Sequence, residues 1–562
     1  GTWRTISTAQ ISNRVYSLAQ AFLNLGIQKG DRITLLAENR WEWAITDFAA
    51  LAIGAVDVPI YPTLTAEQIG ALMADSGSRI AVVSTGNQYE KVARVRAQTK
   101  VEQIVVMDDG DFPGAVSFAS LLTASADPSH IEAMARSISP DDLATLIYTS
   151  GTTGEPKGVM LSHGNIASNV NYSLASFGLR EGYSCISFLP LSHITARHLD
   201  YALFAQYATV AYCSAFDQLP AAMRQVKPTV FVAVPRVYEK VRQEVERRAA
   251  LSPLKKRLLR WAYASGQRHR EEILHGVRPH SIGWQLAERF VLRKIRDGFG
   301  GNVRHFISGG APLGIDTATW FADVGIRIHE GYGLTETSPV VALNTPAVHR
   351  IGSVGHPLPN VQCRFAPDGE LLVRGPAVFK GYWQKPQETA AAFDEEGWFH
   401  TGDIGRIDDR GFLYVTDRKK ELLKTSGGKL IPPQPIENKL KAYLLVAQAA
   451  LVGDRHKFVS ALISPNFSAL EEWARGLGIE IADRRRLVSE PRVVARYQAI
   501  IDEVNSHLAS FETIKRMRLV PDEWSLDTGE LTPSLKLKRR IINERYATVI
   551  EQIYQDEAVA HG

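Results

Sequence analysis

The sequence predicts an α/β protein with a large N-terminal domain of mixed, largely parallel sheets and helices, followed by a smaller, mobile C-terminal α+β domain. Three observations lead there. Strand and helix patterns alternate from the start of the chain, as in parallel strands joined by crossover helices. The 562 residues exceed what one hydrophobic core usually organises, so at least two domains are expected. Near Asp417 the periodicity breaks at DRKKELLKTSGGKLIPPQP, where charges, a Gly pair and prolines mark a boundary and hinge. The expected division is 1–416, a hinge at 417–420, and 421–562.

From Thr8 to Leu25, apolar residues recur at helical spacing (Ile11, Val15, Leu18, Phe22, Leu25), and Gly26 supplies a stop. After the Lys29-Gly30 turn, ITLLAEN reads as a strand, WEWAITDFAALAIG as a helix, AVDVPIY as a strand, TAEQIGALMADSG as a helix and RIAVVS as a strand. The most apolar stretch, Tyr201 to Cys213, is interrupted by Gln206 and is shorter than the roughly 20 residues a membrane span needs, so it is assigned to the core. The segment from Val237 to about Gly300 is helical in pattern and rich in Arg and Lys. A solvated helical excursion is favoured there over a membrane-surface patch, which would attach the protein peripherally.

Composition excludes several classes. Hydrophobic residues at 45% and charged residues at 22% describe an ordinary globular chain, neither disordered nor membrane-spanning. A formal charge of +4 is too dilute over this length for nucleic-acid binding. Cys185, Cys213 and Cys363 are odd in number and far apart, which argues against a disulfide framework or zinc cluster and for buried thiols in a reducing, cytoplasmic compartment. The start, GTWRTISTAQ, lacks both a signal-peptide pattern and an initiator Met, so trimming is expected.

The strongest local signal is LIYTSGTTGEPKGVMLSHGN, Leu146 to Asn165. A short apolar strand enters a loop of glycines and hydroxyl residues suited to a polyphosphate. Gly151, Gly154 and Gly158 allow close backbone approach; the hydroxyls of Thr149, Ser150, Thr152 and Thr153 donate; Lys157 adds a point charge. It is not a Walker A loop, because Gly158 follows Lys157 where Ser or Thr should stand, and Pro156 replaces the last Gly.

This loop resembles the phosphate loop of the adenylate-forming superfamily, which comprises acyl-CoA synthetases, peptide-synthetase adenylation domains and luciferases. Further motifs follow in that family's order: SGGAPL (Ser308 to Leu313), GYGLTETSP (Gly331 to Pro339), GWFHTGD (Gly397 to Asp403), DRKKELLKTSGGK (Asp417 to Lys429) and LTPSLKLKRR (Leu531 to Arg540). Six motifs in register make coincidence untenable. The resemblance implies that Tyr332, within Gly331-Tyr332-Gly333, stacks on adenine opposite a wall formed by Gly310, Ala311 and Pro312. It implies that Glu336 beside Thr335 holds Mg²⁺ with Thr149 as second ligand, and that Asp403, presented from a tight turn, binds the ribose with help from Arg418. Lys420 would be the pivot, Lys424 would lie near the phosphates, and Gly427 and Gly428 near the pantetheine channel.

Lys536 resembles the family lysine that touches both the reacting carboxylate and the α-phosphate, whereas Lys538, Arg539 and Arg540 read as a solvated basic run. His193 resembles the residue between nucleotide and acyl pockets, with a core histidine as the alternative. The implied activity is ATP- and Mg²⁺-dependent conversion of a fatty acid, expected to be long-chain, to acyl-adenylate and then to its coenzyme A thioester. The rivals are a ligase that loads a carrier protein, a medium-chain or aryl acid–CoA ligase, and a lipid- or nucleotide-binding protein without turnover.

Overall fold

The computed structural model describes residues 3–150, 156–426, 429–479, 481, 483–525, 528–532 and 536–555. The early elements form where the pattern places them: helix Thr8–Asn24, strand Arg32–Leu36, helix Trp41–Ala52, strand Val56–Pro59, helix Ala66–Ser76 and strand Ile80–Val83. Ser7 and Gln10 close a reciprocal cap on the first helix, and Gly26 turns away from its end at φ +82°. Val56–Pro59 and Ile80–Val83 are buried at every position, as befits strands covered on both faces.

These strands belong to an eight-stranded sheet in the order Gly381–Tyr382, Pro156–Ser162, Leu143–Ser150, Val56–Pro59, Arg32–Leu36, Ile80–Val83, Gln103–Val106, Ala115–Ser117. From Leu143–Ser150 onward all neighbours are parallel, while the first two strands are antiparallel additions. A seven-stranded sheet follows the same plan. Its parallel part runs Ile328–Gly333, His305–Ser308, Val230–Ala233, Ser184–Ser187, Thr209–Tyr212; Val340–Leu343 adds antiparallel to the first of these, and His356–Pro357 adds antiparallel to Val340–Leu343.

A four-stranded antiparallel sheet (Gln362–Phe365, Glu370–Arg374, Phe399–Ile407, Leu413–Arg418) leads to the C-terminal part. There a mixed three-stranded sheet, Val446–Val452, Val459–Pro465 and Ile514–Leu519, packs with helices around cores drawn wholly from Leu423 to Tyr554. The expected fold class is thereby borne out.

Four expectations need correction. The segment after Val237 is solvated on its outer face only: Ala262, Ile273, Trp284, Ala287, Leu292 and Ile295 on its inner face are buried in the same core as Phe231, Phe306 and Phe321. Its helix Pro253–Arg268 lies so close to helix Ile315–Asp323 that a Cβ on Gly266 would stand 1.6 Å from the Asp323 carbonyl oxygen. Cys363 is only half-buried, although Cys185 and Cys213 are buried. Tyr207, within the apolar Tyr201 to Cys213 stretch, is 75% exposed, because it turns between helix Ile194–Ala205 and strand Thr209–Tyr212. Finally, Arg539 is not solvated: it forms ion pairs with Glu421 at 3.1 Å and Glu437 at 2.7 Å, so partners distant in sequence draw it inward.

Candidate active site

The predicted phosphate loop begins and ends on paired strands. Thr149 faces Lys157 and Ser150 faces Pro156 in the antiparallel ladder; Gly151, Thr152, Thr153 and Gly154 lie outside the described residues. The Lys157 ammonium sits 5.1 Å from the centre of the Tyr382 ring. The Tyr382 hydroxyl in turn donates to Glu336 Oε1 at 3.0 Å. Sequence reasoning missed Tyr382, whose signal is no more than the aromatic run VFKGYW, but strand Gly381–Tyr382 pairs beside Val159 and Met160 and so places it at the mouth of the loop.

Glu336 occupies the short helical turn Thr335–Thr337, half-buried between the buried Thr335 and Thr337. Burial pushes the Glu336 carboxyl up, while its own backbone N–H, Tyr382 and Arg418 oppose the shift. Among the described residues no group of three or more His, Cys, Asp or Glu side chains is placed to hold a metal. A half-buried carboxylate flanked by hydroxyls nonetheless fits Mg²⁺, which takes one or two protein oxygens and completes its shell with phosphate and water.

Tyr332 stands at the end of strand Ile328–Gly333, and its hydroxyl donates to Asp403 Oδ2 at 2.6 Å. Asp403 is buried and lies within strand Phe399–Ile407, not at a tight turn; the strand kinks at Gly402, whose φ of +72° only glycine adopts without strain. The kink is tied down by Glu370 Oε1, which accepts from the Gly402 N–H at 3.0 Å, and by Thr401 Oγ1, which accepts from the Asp403 N–H at 3.1 Å. Arg418 is the cross-strand partner of Asp403, with Nε 3.5 Å from Oδ1. Burial raises the Asp403 carboxyl, chiefly offset by Arg418 and by the Tyr332 hydroxyl.

Gly310, Tyr332 and Gly333 also line an apolar cavity walled by Leu174, Leu199, Val232, Ile307, Val340 and Leu343. The SGGAPL turn is held in place by a second residue that sequence reasoning missed. Glu330 Oε1 accepts from the Leu313 N–H at 2.7 Å, and burial lifts the Glu330 carboxyl to about 8. Ala311 and Pro312 lie in the same turn, between Gly310 and Leu313.

Lys536 enters this site from the C-terminal part. Its N–H donates to Thr532 Oγ1 at 3.0 Å and its carbonyl accepts from the Thr532 N–H at 2.8 Å; Leu531 bridges to Leu537. Burial and then the Arg418 charge hold its ammonium down to about 8, against the pull of Asp403, Glu421 and Glu336. His193 caps helix Ile194–Ala205, its Nδ1 accepting from the Thr195 N–H at 3.2 Å; burial, then the Lys536 charge, lower it to about 4, so it is neutral.

Tyr332, Glu336, Asp403, Arg418, Lys536 and His193 thus converge. Lys424 stands apart: it is exposed, its N–H donates to Asp454 Oδ1 at 3.0 Å and its carbonyl accepts from the Arg455 N–H at 2.7 Å. Lys420 is exposed just beyond strand Leu413–Arg418, and Gly427 and Gly428 lie outside the described residues.

The site thus brings together the strand hairpin Leu143–Ser150/Pro156–Ser162, the Tyr332–Asp403–Arg418 cluster and Lys536 from the C-terminal part. Residues 1–383 match the AMP-binding enzyme family and residues 420–558 match the AMP-binding enzyme C-terminal domain; the chain belongs to the AMP-binding enzyme family. Among its relatives, the long-chain-fatty-acid–CoA ligase FadD15 of Mycobacterium bovis is 39% identical, over 99% of this chain and 93% of that protein. The long-chain-fatty-acid–CoA ligase ACSBG2 of Homo sapiens is 31% identical over 98% and 88%. Among solved structures, ATP-bound MatB from Rhodopseudomonas palustris superimposes with a TM-score of 0.72 at 25% identity, covering 97% of this chain and 95% of that one. The Mycobacterium tuberculosis fatty acyl CoA synthetase shares the fold with a TM-score of 0.62 at 23% identity, over 97% and 93%.

Proposed function

We propose that this chain is an ATP-dependent long-chain fatty acid–CoA ligase that forms acyl-AMP and then the coenzyme A thioester. The observation that carries the reading is the convergence of Lys536 from the C-terminal unit with Tyr332, Glu336, Asp403 and Arg418 from the sheets. The apolar cavity beside Tyr332 supports a lipophilic acid, as do the full-length relatives named above.

A carboxylate is a poor acyl donor because its leaving group would be oxide. In the first step a carboxylate oxygen attacks the α-phosphorus of ATP, the bond to the bridging oxygen breaks, and pyrophosphate leaves with that electron pair. Tyr332 stacks on the base, Asp403 accepts from the ribose hydroxyls, and Arg418 balances its charge. Lys157 and the hydroxyls of residues 149–153 cradle the phosphates, and Lys536 spans the carboxylate and the α-phosphate, where negative charge crowds at the transition state. Glu336, with Thr149, would hold Mg²⁺, which supplies charge neutralisation at the phosphates.

In the second step the thiolate sulfur of coenzyme A attacks the acyl carbonyl carbon and AMP leaves. Lys536 would obstruct that approach, so rotation about 417–420, with Lys420 as pivot, withdraws it and brings Gly427 and Gly428 to the pantetheine. Because Arg539 pairs with Glu421 and Glu437, both beyond the pivot, the Lys536 hairpin moves with the small unit as one piece. The test is pyrophosphate exchange into ATP dependent on acids of increasing chain length, followed by product identification with coenzyme A and, separately, a carrier protein. Absence of exchange with every acid sinks the proposal.

A further inference from the structure

The apolar cavity beside Tyr332 is bordered by one side chain whose chemistry the proposed reaction does not use. On helix Ile194–Ala205, Thr195, His198 and Leu199 stand three and four residues apart, so they share one face, and all three line the cavity. Leu174, Val232, Ile307, Val340 and Leu343 complete the apolar wall. An imidazole is costly in this company, because a Leu or Met would fill the same space with no polar atom to satisfy.

The hydrogen bonds of that imidazole are half made. His198 is 4% exposed, and its Nε2 lies 2.7 Å from the hydroxyl of Ser173, itself buried. Its Nδ1 is buried and meets no hydrogen-bond partner among the described residues. Burial lowers the ring from 6.5 to about 4, so it is neutral, with one N–H and one bare nitrogen. The Ser173 hydroxyl either donates or accepts. When it donates to Nε2, Nδ1 carries the proton; when it accepts, Nδ1 is the bare nitrogen.

His193, at the start of the same helix, shows what an imidazole normally finds: its Nδ1 accepts from the Thr195 N–H at 3.2 Å. His198 lies inside the helix, where backbone N–H groups are engaged in the helix itself, so its partner must come from elsewhere. The hydroxyls along the cavity do not supply it. That of Tyr332 is committed to Asp403 at 2.6 Å, and neither Thr195 nor Ser308 reaches Nδ1. A buried polar atom left without a partner is a standing cost, which a bound group of the right chemistry removes.

That group is neutral, since the ring carries no charge to pair with an anion. A hydroxyl suits both tautomers, for it accepts from Nδ1–H and donates to bare Nδ1, whereas a carbonyl oxygen suits only the first. Its place along the ligand follows from the rest of the wall. Gly310, Gly331 and Tyr332 line the same cavity, and in the proposed reaction they flank the nucleotide, so the part of the acid held here is the part near its carboxylate.

We propose that His198 is a specificity-determining residue whose Nδ1 hydrogen-bonds a hydroxyl near the carboxylate of the acyl chain, and that hydroxylated fatty acids are the preferred substrates. The inference rests on the proposed function and refines its substrate.

The test is ATP–pyrophosphate exchange by the full chain with hexadecanoic acid and with its derivatives bearing a hydroxyl on the second, third or fourth carbon. The readout is the ratio of kcat/KM for each hydroxy acid to that for the plain acid, so that a general loss of activity cancels. The parent is expected to favour at least one hydroxy isomer by about five- to ten-fold, the scale of one buried neutral hydrogen bond. His198→Leu should bring that ratio to about one or below.

Two further variants separate recognition from a merely structural role. Asn carries its amide atoms at the Nδ1 position of a histidine, whereas Gln reaches the Nε2 position. His198→Asn should therefore keep the preference to within about three-fold, and His198→Gln, which restores only the contact to Ser173, should lose it. Stabilisation by ATP in thermal unfolding reports that each variant is folded. The inference is overturned if plain and hydroxy acids exchange equally well in the parent, if folded His198→Leu keeps the preference, or if Gln preserves it and Asn does not. The proposed function survives all three results. If no acid supports exchange, that function fails, and the inference is then decided by thermal shift: greater stabilisation by a hydroxy acid than by the plain acid, lost in His198→Leu, upholds the site, and equal shifts remove it.

Discussion

Replacing Lys536 by Ala separates the two half-reactions, and the structure sets the scale of the effect. The ammonium lies buried beside Arg418 and is held from its ordinary 10.5 down to about 8. Keeping it charged in the nucleotide-free site therefore costs about 3 kcal/mol, a penalty that the phosphates of ATP offset when they arrive. An ammonium set aside in this way, at the place where the carboxylate and α-phosphate crowd their charges, acts as a preorganised transition-state donor. Loss of such a donor costs about 3–4 kcal/mol, or roughly two to three orders of magnitude in rate. Lys536→Ala is expected to slow acyl-adenylate formation by that factor, measured by rapid-quench single turnover, while chemically synthesised acyl-adenylate is still converted to thioester at close to the parental rate. Equal losses in the two steps would refute the division of labour, and so would unimpaired adenylation.

The same lysine predicts a pH dependence. In the folded, empty enzyme it releases its proton near pH 8, below the unfolded chain, so adenylation under kcat/KM conditions should fall above about pH 8, while stability of the nucleotide-free protein rises between pH 8 and 10.5. A rate profile flat to pH 10 would contradict this. Tyr382→Phe removes the hydroxyl that donates to Glu336 and should raise the Mg²⁺ concentration needed for half-maximal exchange by a factor of about 2–10, leaving the KM for the acid unchanged. Arg197→Ala strands Asp47 and Asp57, which the buried guanidinium contacts at 2.5 and 2.9 Å; denaturant unfolding should show a loss of about 3–5 kcal/mol. Gly266→Ala forces the two helices apart and should lower stability by about 1–3 kcal/mol in the same assay.

Legibility in the sequence followed the range of the interactions. The helix at Thr8–Asn24, the strands at Arg32–Leu36 and Ile80–Val83 and the strand entering the phosphate loop were readable because their periodicity and caps are local. So were Tyr332, Glu336, Asp403 and Lys536 as candidates, since each stands in a short motif. Tyr382 and Glu330 were not, because nothing within a few residues of either reveals that a distant strand or loop will present Glu336 or the Leu313 N–H to it. The Asp403 turn was misread for a related reason: a Gly after Thr suggests a turn locally, and only pairing with Leu413–Arg418 keeps that backbone a strand with one kink.

Arg539 marks the same divide. A run of Lys and Arg reads as solvated until the fold supplies Glu421 and Glu437. The amino-acid order alone determined the alternation of elements, the break near Asp417 and the chemical kinds of group available, because propensity, capping and spacing act over a turn or two of chain. Only the tertiary structure decided which of those groups meet, since burial and Coulomb energy depend on distances through space that join residues as remote as His193 and Lys536.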